Sequence, residues 1–326
     1  AVLADARAFL AALAAELVAA LAPRAEARVA EKHGRVPGGR FAVVAMGKLG
    51  SEEMSAASDL DLIVIYDTDG PDAASDGERP LHASQYYARV CQQLISALTA
   101  PTAEGKLYDV DMRLRPSGNA GPIATAFDRF VAYQEAEAWT WEHMALTRAR
   151  VIAGPDALGA RIEDAIRETL LRPRETKKIA ADVADMRARI AKEHASSDPW
   201  ELKHVRGGLV DIEFICQYLQ LVHGAAHPAI MHTHTRDALA AIAAADLLPS
   251  ATADMLVHAI GLNHNLTQVI RICVEGVFKP EEATPGLRSL LARAGDAPDF
   301  ATLEADLTGS QHKVRAAFAD IVTAAV

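Results

Sequence analysis

Asp59 and Asp61 sit one residue apart at the start of an aliphatic run, within AMGKLGSEEMSAASDLDLIVIYD (45–67). Side chains alternate faces along a strand, so both carboxylates share one side, with Cα atoms about 6.6 Å apart. Leu60, Leu62 and Val64 then point the other way, into a core. Two like charges at such a place cost free energy unless something positive stands between them. LYDVDMRLR (107–115) repeats the pattern, with Asp109, Asp111 and Arg113 on one face and Val110, Met112 and Leu114 on the other. If the two strands are neighbours, a third carboxylate joins the first pair. Three carboxylates at one strand edge suit hard divalent cations, Mg²⁺ above all. Two such ions about 3.5 to 4 Å apart can activate an attacking oxygen and neutralise a leaving phosphate oxygen. The plainer alternative is a solvated strand end, where aspartate is common.

The turn before Asp59 bears on the same chemistry. A tight turn after a strand presents bare backbone N–H groups, which suit phosphate. Gly47 and Gly50 allow close approach, Ser51 adds a hydroxyl and Lys48 a cation. The spacing is neither G-x4-G-K-[ST] nor G-x-G-x-x-G, so neither common phosphate loop applies.

These residues need elements to hold them. Residues 1 to about 33 read as one helix, ended by Gly34 and Pro37-Gly38-Gly39. RFAVVAMG (40–47) reads as a strand, KLGSEEMSAAS as a turn with one helical turn, and DLDLIVIYD (59–67) as a second strand. A polar loop (68–80), a helix (81–100) and the strand-to-turn segment 105–118 follow. Beyond about residue 125 the apolar period becomes 3.6 and stays there. Helices are expected near 125–137, 139–150, 155–171, 176–195, 208–223, 235–246, 250–275, 284–294 and 310–325. The chain thus divides into an N-terminal helix (1–34), a mixed α/β portion (35–135) and a helical portion (136–326).

Composition excludes several classes. The 326 residues carry a net charge of −10, with half the residues apolar and 23% charged. Nucleic acid is disfavoured as a partner, because neutralising phosphates needs a basic face. Cys91, Cys216 and Cys273 are odd in number and far apart, as expected of buried thiols in a reducing, cytoplasmic setting. The N-terminal segment carries Asp5, Arg7 and Glu16, so it reads as an amphipathic helix rather than a signal peptide or a membrane span.

Together, Gly50-Ser51, a short gap and Asp59-x-Asp61 resemble the signature of the DNA polymerase β-like nucleotidyltransferases. GKLGSEEMSAASDLDLI, LYDVDMRLRPSG, YQEAEAWTWEHMALTRARV and GGLVDIEFICQYL narrow the resemblance to glutamine synthetase adenylyltransferase, in the right order over most of the chain. The stretch after about residue 280 is the least distinctive. Ser51 stands where the family often has a second glycine, and MSAAS replaces a commoner LGYSS; neither change touches a carboxylate.

The resemblance implies an α+β, predominantly helical fold: a polymerase β-like domain with a small mixed sheet, then an all-helical bundle. It implies Mg²⁺ on Asp59, Asp61 and Asp111, with ATP phosphates near Gly47, Lys48, Gly50 and Ser51. Arg113 and Arg115 could face the triphosphate; for Arg115 a salt bridge or a solvated turn is an equal alternative. Asp109 would be structural or would buttress the metal ligands from behind. Asp211 and Glu213, near a helix N-terminus where acids are favoured anyway, would line the site. The family joins an AMP-attaching and an AMP-removing half, and EAWTWEHMALTRARV is closer to the attaching one. Glutamine synthetase is then the protein substrate, with the PII signalling protein and glutamine as regulators. The alternatives are the removing half, a uridylyltransferase of PII, and a catalytically silent nucleotide sensor.

Other residues carry weaker signals. Trp139 and Trp141 lie about 200° apart on a helix, so they cannot both face one core. Packing is expected for each, with adenine stacking or partner contact as the alternative. His232 and His234 lack further ligands at a fitting spacing and read as an exposed turn. His143 is a weak catalytic candidate.

Overall fold

A computed structural model describes residues 2–326, with side chains from Ala6 onward. Among these residues the chain forms two compact units, one running from Arg7 to Leu170 and the other built from Leu171–Val326. The first therefore continues well past residue 135, because the helices after that point pack with the sheet.

The sheet begins with an antiparallel hairpin. β1 (Arg40–Ala45) pairs with β2 (Leu60–Asp67), from Arg40 opposite Asp67 to Ala45 opposite Leu62. The far edge of β2 is shared end to end by two short parallel partners. β3 (Val110–Asp111) pairs with its first residues and β4 (Ala124–Ala126) with its later ones. β5 (Arg150–Ala153) closes the other edge of β1, antiparallel, with an irregularity between Val43 and Val44.

Helices cover both faces, which is why β2 is apolar at nearly every position. On one face Val43, Leu60, Leu62 and Val64 share a core with α1 (Val2–His33) and α3 (Ala83–Thr99). From α1 come Ala11, Ala14, Val18, Ala22, Ala25 and Val29, at the three- and four-residue spacing of one helix face. This helix is long and apolar enough to cross a membrane by length and composition. Its apolar stripe is nevertheless part of the protein core. Against the other face of the sheet, where Ile63 and Ile65 are buried, lie α4 (Phe127–Ala136) and α6 (Asp156–Leu170).

Three expectations are corrected here. The stretch read as a helix over 139–150 is instead α5 (Thr140–Leu146) followed by β5, a strand that helical flanks concealed. The segment 105–118 is a strand for two residues only, because Arg113 folds back on Asp111 and turns the chain. Of the three cysteines, Cys91 and Cys216 are buried as expected, whereas Cys273 is exposed.

The second unit is helical: α7 (Thr176–Glu193), α8 (Leu209–His223), α9 (Thr235–Ala244), α10 (Ser250–Cys273), α11 (Pro285–Ala294) and α12 (Phe300–Ile321). α12 starts ten residues earlier than expected, because the Asp299 side chain accepts the Thr302 N–H and caps it. Trp200, Leu262, Leu266, Leu303 and Leu307 form its core with Phe278.

Candidate active site

Register assembles the acidic residues. Asp61 lies opposite Asp111 across the β2–β3 pair, and Asp59 immediately precedes β2. One carboxylate oxygen from each of Asp59, Asp61 and Asp111 lies within 4.8 Å of the other two. Asp59 is exposed and the others are half-buried, so the cluster opens to solvent. Octahedral Mg²⁺ with bonds of about 2.1 Å holds its ligand oxygens about 3 to 4 Å apart. An all-oxygen set is the right chemistry for this ion. Asp109 stays outside, paired with Lys106 at 2.6 Å.

The positive partner already present is Arg113. Its backbone N–H donates to Asp111 Oδ1 at 2.8 Å and its Nε to Oδ2 at 2.7 Å. These bonds hold the Asp111 carboxyl below the usual carboxylate range, although partial burial works against them. Asp61 and Asp59 reinforce the positive charge of Arg113 from further away.

The glycine turn stands beside the acids. Gly47 opens α2 (Gly47–Gly50), a single helical turn, at φ +52°, and a Cβ there would come within 2.2 Å of Asp61 Oδ2. Only glycine permits that approach. Gly50 is packed so tightly that a Cβ would meet the Arg148 carbonyl oxygen at 1.8 Å. Gly50 and Ser51 are buried, and their N–H groups bond the carbonyls of Met46 and Gly47. The Ser51 hydroxyl has no protein partner. Gly47 and Lys48 are half-buried.

Sequence reasoning missed two supports of this arrangement. Arg150 of β5 donates to the carbonyls of Leu49 (3.2 Å) and Gly50 (3.4 Å), tying the turn to the sheet. The buried hydroxyls of Ser55 and Ser58 lie 3.0 Å apart, and the Ser55 N–H donates to Ser58 Oγ, closing the loop that delivers Asp59. The serines were visible in MSAAS as a departure from a pattern, whereas Arg150 carried no signal while β5 was unrecognised.

Several expected site residues do other work. Arg115 is buried and donates to the carbonyls of Met112, Gly121 and Pro122, so it fixes its own loop rather than facing outward. Asp211, on α8 of the helical unit, is wholly buried in an ion pair with Arg187, accepts the Gly207 N–H, and has Arg206 at 3.4 Å. It is an internal charge, not a surface ligand. Glu213 is half-buried on the same helix. His143 is buried, its Nε2 3.1 Å from the Gln134 carbonyl. Trp139 is 71% exposed, against the packing expected of it, and Trp141 is partly exposed. A cavity of about 530 Å³ opens between α1 and the β1–β5 edge, near Pro23, Arg40 and Ile152. It lies at the opposite end of β1 from the carboxylates.

A small mixed sheet with three aspartates gathered where β2 meets β3, beside a glycine turn, defines a nucleotidyltransferase of the polymerase β-like kind. Residues 2–165 match the family model for glutamate-ammonia ligase adenylyltransferase, and residues 177–273 match that for GlnD PII-uridylyltransferase. Three curated relatives are each named bifunctional glutamine synthetase adenylyltransferase/adenylyl-removing enzyme. That of Bradyrhizobium sp. strain BTAi1 is 54% identical over 295 residues, covering 90% of this chain and 30% of the relative. That of Xanthobacter autotrophicus strain Py2 is 52% identical over 314 residues, 96% of this chain and 32% of the relative. That of Rhodopseudomonas palustris strain TIE-1 is 55% identical over 289 residues, 89% and 29% respectively. The chain belongs to the glutamate–ammonia ligase adenylyltransferase family. It spans about 30% of the length of these relatives.

Proposed function

We propose that this chain moves AMP from ATP to a tyrosine of glutamine synthetase, with release of pyrophosphate. The observation that carries this reading is the cluster of Asp59, Asp61 and Asp111 beside the Gly47 turn. The relatives' printed names supply the substrate, and the likeness of EAWTWEHMALTRARV to an attaching half supplies the direction.

Asp59, Asp61 and Asp111 would hold Mg²⁺, which supplies charge neutralisation at the phosphates and a lower pKa for the acceptor hydroxyl. The chain's own groups position the rest. Gly47 and Lys48 take the phosphates, with Gly50 and Ser51 forming the base of the turn. The unpartnered Ser51 hydroxyl carries a desolvation cost that a phosphate oxygen or a water would relieve. The tyrosine oxygen attacks the α-phosphorus in line, and an O–P bond forms as the bond to the β-phosphate oxygen breaks. Asp111 would take the phenolic proton or orient the metal. As in other phosphoryl-type transfers, positioning and electrostatics do most of the work. The PII protein and glutamine act as regulators of the longer enzyme, and its setting is the cytoplasm.

A second reading has support in the same names: phosphorolytic removal of AMP, for which the same carboxylates would serve. The two separate in one assay with Mg²⁺, ATP labelled at the α-phosphate and unmodified glutamine synthetase. Label on a tyrosine, absent with Asp59→Asn/Asp61→Asn, establishes attachment. No transfer by a folded chain, with release of ADP from AMP-modified synthetase and phosphate, establishes removal. Normal transfer by the double variant would overturn the role of the aspartates.

A further inference from the structure

Arg113 occupies both oxygens of one of the three metal-facing carboxylates. Its backbone N–H takes Asp111 Oδ1, and its Nε and Nη2 take Oδ2 at 2.7 and 2.5 Å. The Asp111 side chain is only 15% exposed, whereas Arg113 is 74% exposed. The carboxylate is therefore fixed in the fold while its guanidinium partner reaches in from solvent. Two guanidinium N–H groups converge on Oδ2 and so take up the lone pairs that a metal ion would need there. A carboxylate oxygen can be shared, but a dication and a guanidinium at that distance repel each other.

We propose that Arg113 is a built-in counter-ion for the acidic cluster, displaced from Asp111 when a divalent ion enters. The displaced guanidinium stays tethered two residues from Asp111, free to meet the negative charge that arrives with the nucleotide. Metal entry and the freeing of Arg113 are then one coupled step, and coupling of this kind is reciprocal: phosphate that draws Arg113 away tightens the metal. Before loading, the same contact screens the aspartates from one another, which offsets the repulsion of three carboxylates gathered at one edge. This inference rests on the reading of Asp59, Asp61 and Asp111 as metal ligands.

The test uses Mn²⁺ alone, without nucleotide, followed by the loss of the free-ion signal in electron paramagnetic resonance. The whole chain is compared with Arg113→Gln, Lys106→Gln and Asp61→Asn. Lys106 is the control for general charge: it pairs with Asp109 in the same segment and has no part in the site. We expect Asp61→Asn to weaken Mn²⁺ binding at least tenfold and Lys106→Gln to leave it unchanged. Arg113→Gln should tighten it about two- to fivefold, the range that loss of an exposed competing ion pair supports. Arg113 is exposed, so its replacement leaves the fold intact, as circular dichroism will verify. Equal or weaker binding by Arg113→Gln overturns the proposal while the metal site stands. Equal tightening by Lys106→Gln overturns it too, by reducing the effect to net charge. Binding untouched by Asp61→Asn overturns the metal reading itself and the proposal with it.

Discussion

Asp61 and Asp111 stand side by side in register across the parallel pair of β2 and β3. That single register makes a site from two segments that are distant in sequence. A slip of one residue would turn Asp111 to the opposite face, since strand side chains alternate. The two strands meet over only two residue pairs. Much of the accuracy must therefore come from the turn at Arg113 and from Arg115, which holds the preceding Met112 carbonyl and the Gly121 and Pro122 carbonyls of the following loop.

The Gly47→Ala variant tests the contact between the turn and the acids. Its Cβ would lie 2.2 Å from Asp61 Oδ2, at φ +52°. The left-handed backbone alone costs a non-glycine residue about 1–2 kcal/mol, and the clash must be relieved by moving Asp61. The expected outcome is a lower midpoint in urea together with weaker Mn²⁺ binding. Unchanged Mn²⁺ affinity in the folded variant would show that the turn and the carboxylate are independent.

Asp67 gives a pH dependence of known sign. Burial alone would raise its pKa, but hydrogen bonds from Arg40 and Arg161 prevail, so the folded value lies below the usual one. A carboxyl depressed in this way stabilises the fold above its unfolded pKa of about 3.9. That contribution disappears as pH falls through the lower folded value. Asp67→Asn should therefore cost about 1–2 kcal/mol at neutral pH, the range for hydrogen bonds to a charged group discounted for two half-exposed arginines. The gap from the parent should hold steady from about pH 5 to 8 and narrow below about pH 4. Urea unfolding at each pH measures it, and a gap that widens in acid contradicts the assignment.

In the helical unit, Arg187 and Asp211 form an ion pair with no solvent exposure on either side chain. Removing Arg187 leaves buried Asp211 with only the Gly207 N–H and Arg206, at 3.4 Å, to offset its charge, and breaking a buried pair costs about 3–5 kcal/mol. Arg187→Met should thus be severely destabilising, while Arg187→Met/Asp211→Leu should recover most of the loss. The comparison needs only thermal unfolding followed by circular dichroism. A double variant no better than the single one would show that the backbone contacts of Arg187, to the His204 and Val205 carbonyls, dominate instead.

The carboxylate cluster was legible because its signal is local: alternation over a few residues tells which side chains share a face. Long helices were legible for the same reason. The residues that were misread owe their state to partners far along the chain. β5 is four residues long between helices, and only its pairing with β1 makes it a strand. Asp211 lies near a helix start, where an acid is unremarkable, and its partner Arg187 is 24 residues away. Arg115 looks like any arginine beside a proline turn until the carbonyls of Gly121 and Pro122 curl round it. The helix α1 is the reverse case, since its alanines and valines are plain in the sequence while the sheet that covers them is not.

The two-residue pairing of β3 also orders the assembly of the site in time. Asp59 and Asp61 are carried by the β1–β2 hairpin, whose strands are close neighbours in sequence. Asp111 joins only when a loop of about fifty residues closes, and closure entropy rises with loop length. The hairpin can form with two of the acids already in place, and the third arrives with its arginine attached. Repulsion within the cluster is thus met, when that loop closes, by a segment that brings its own neutralising charge.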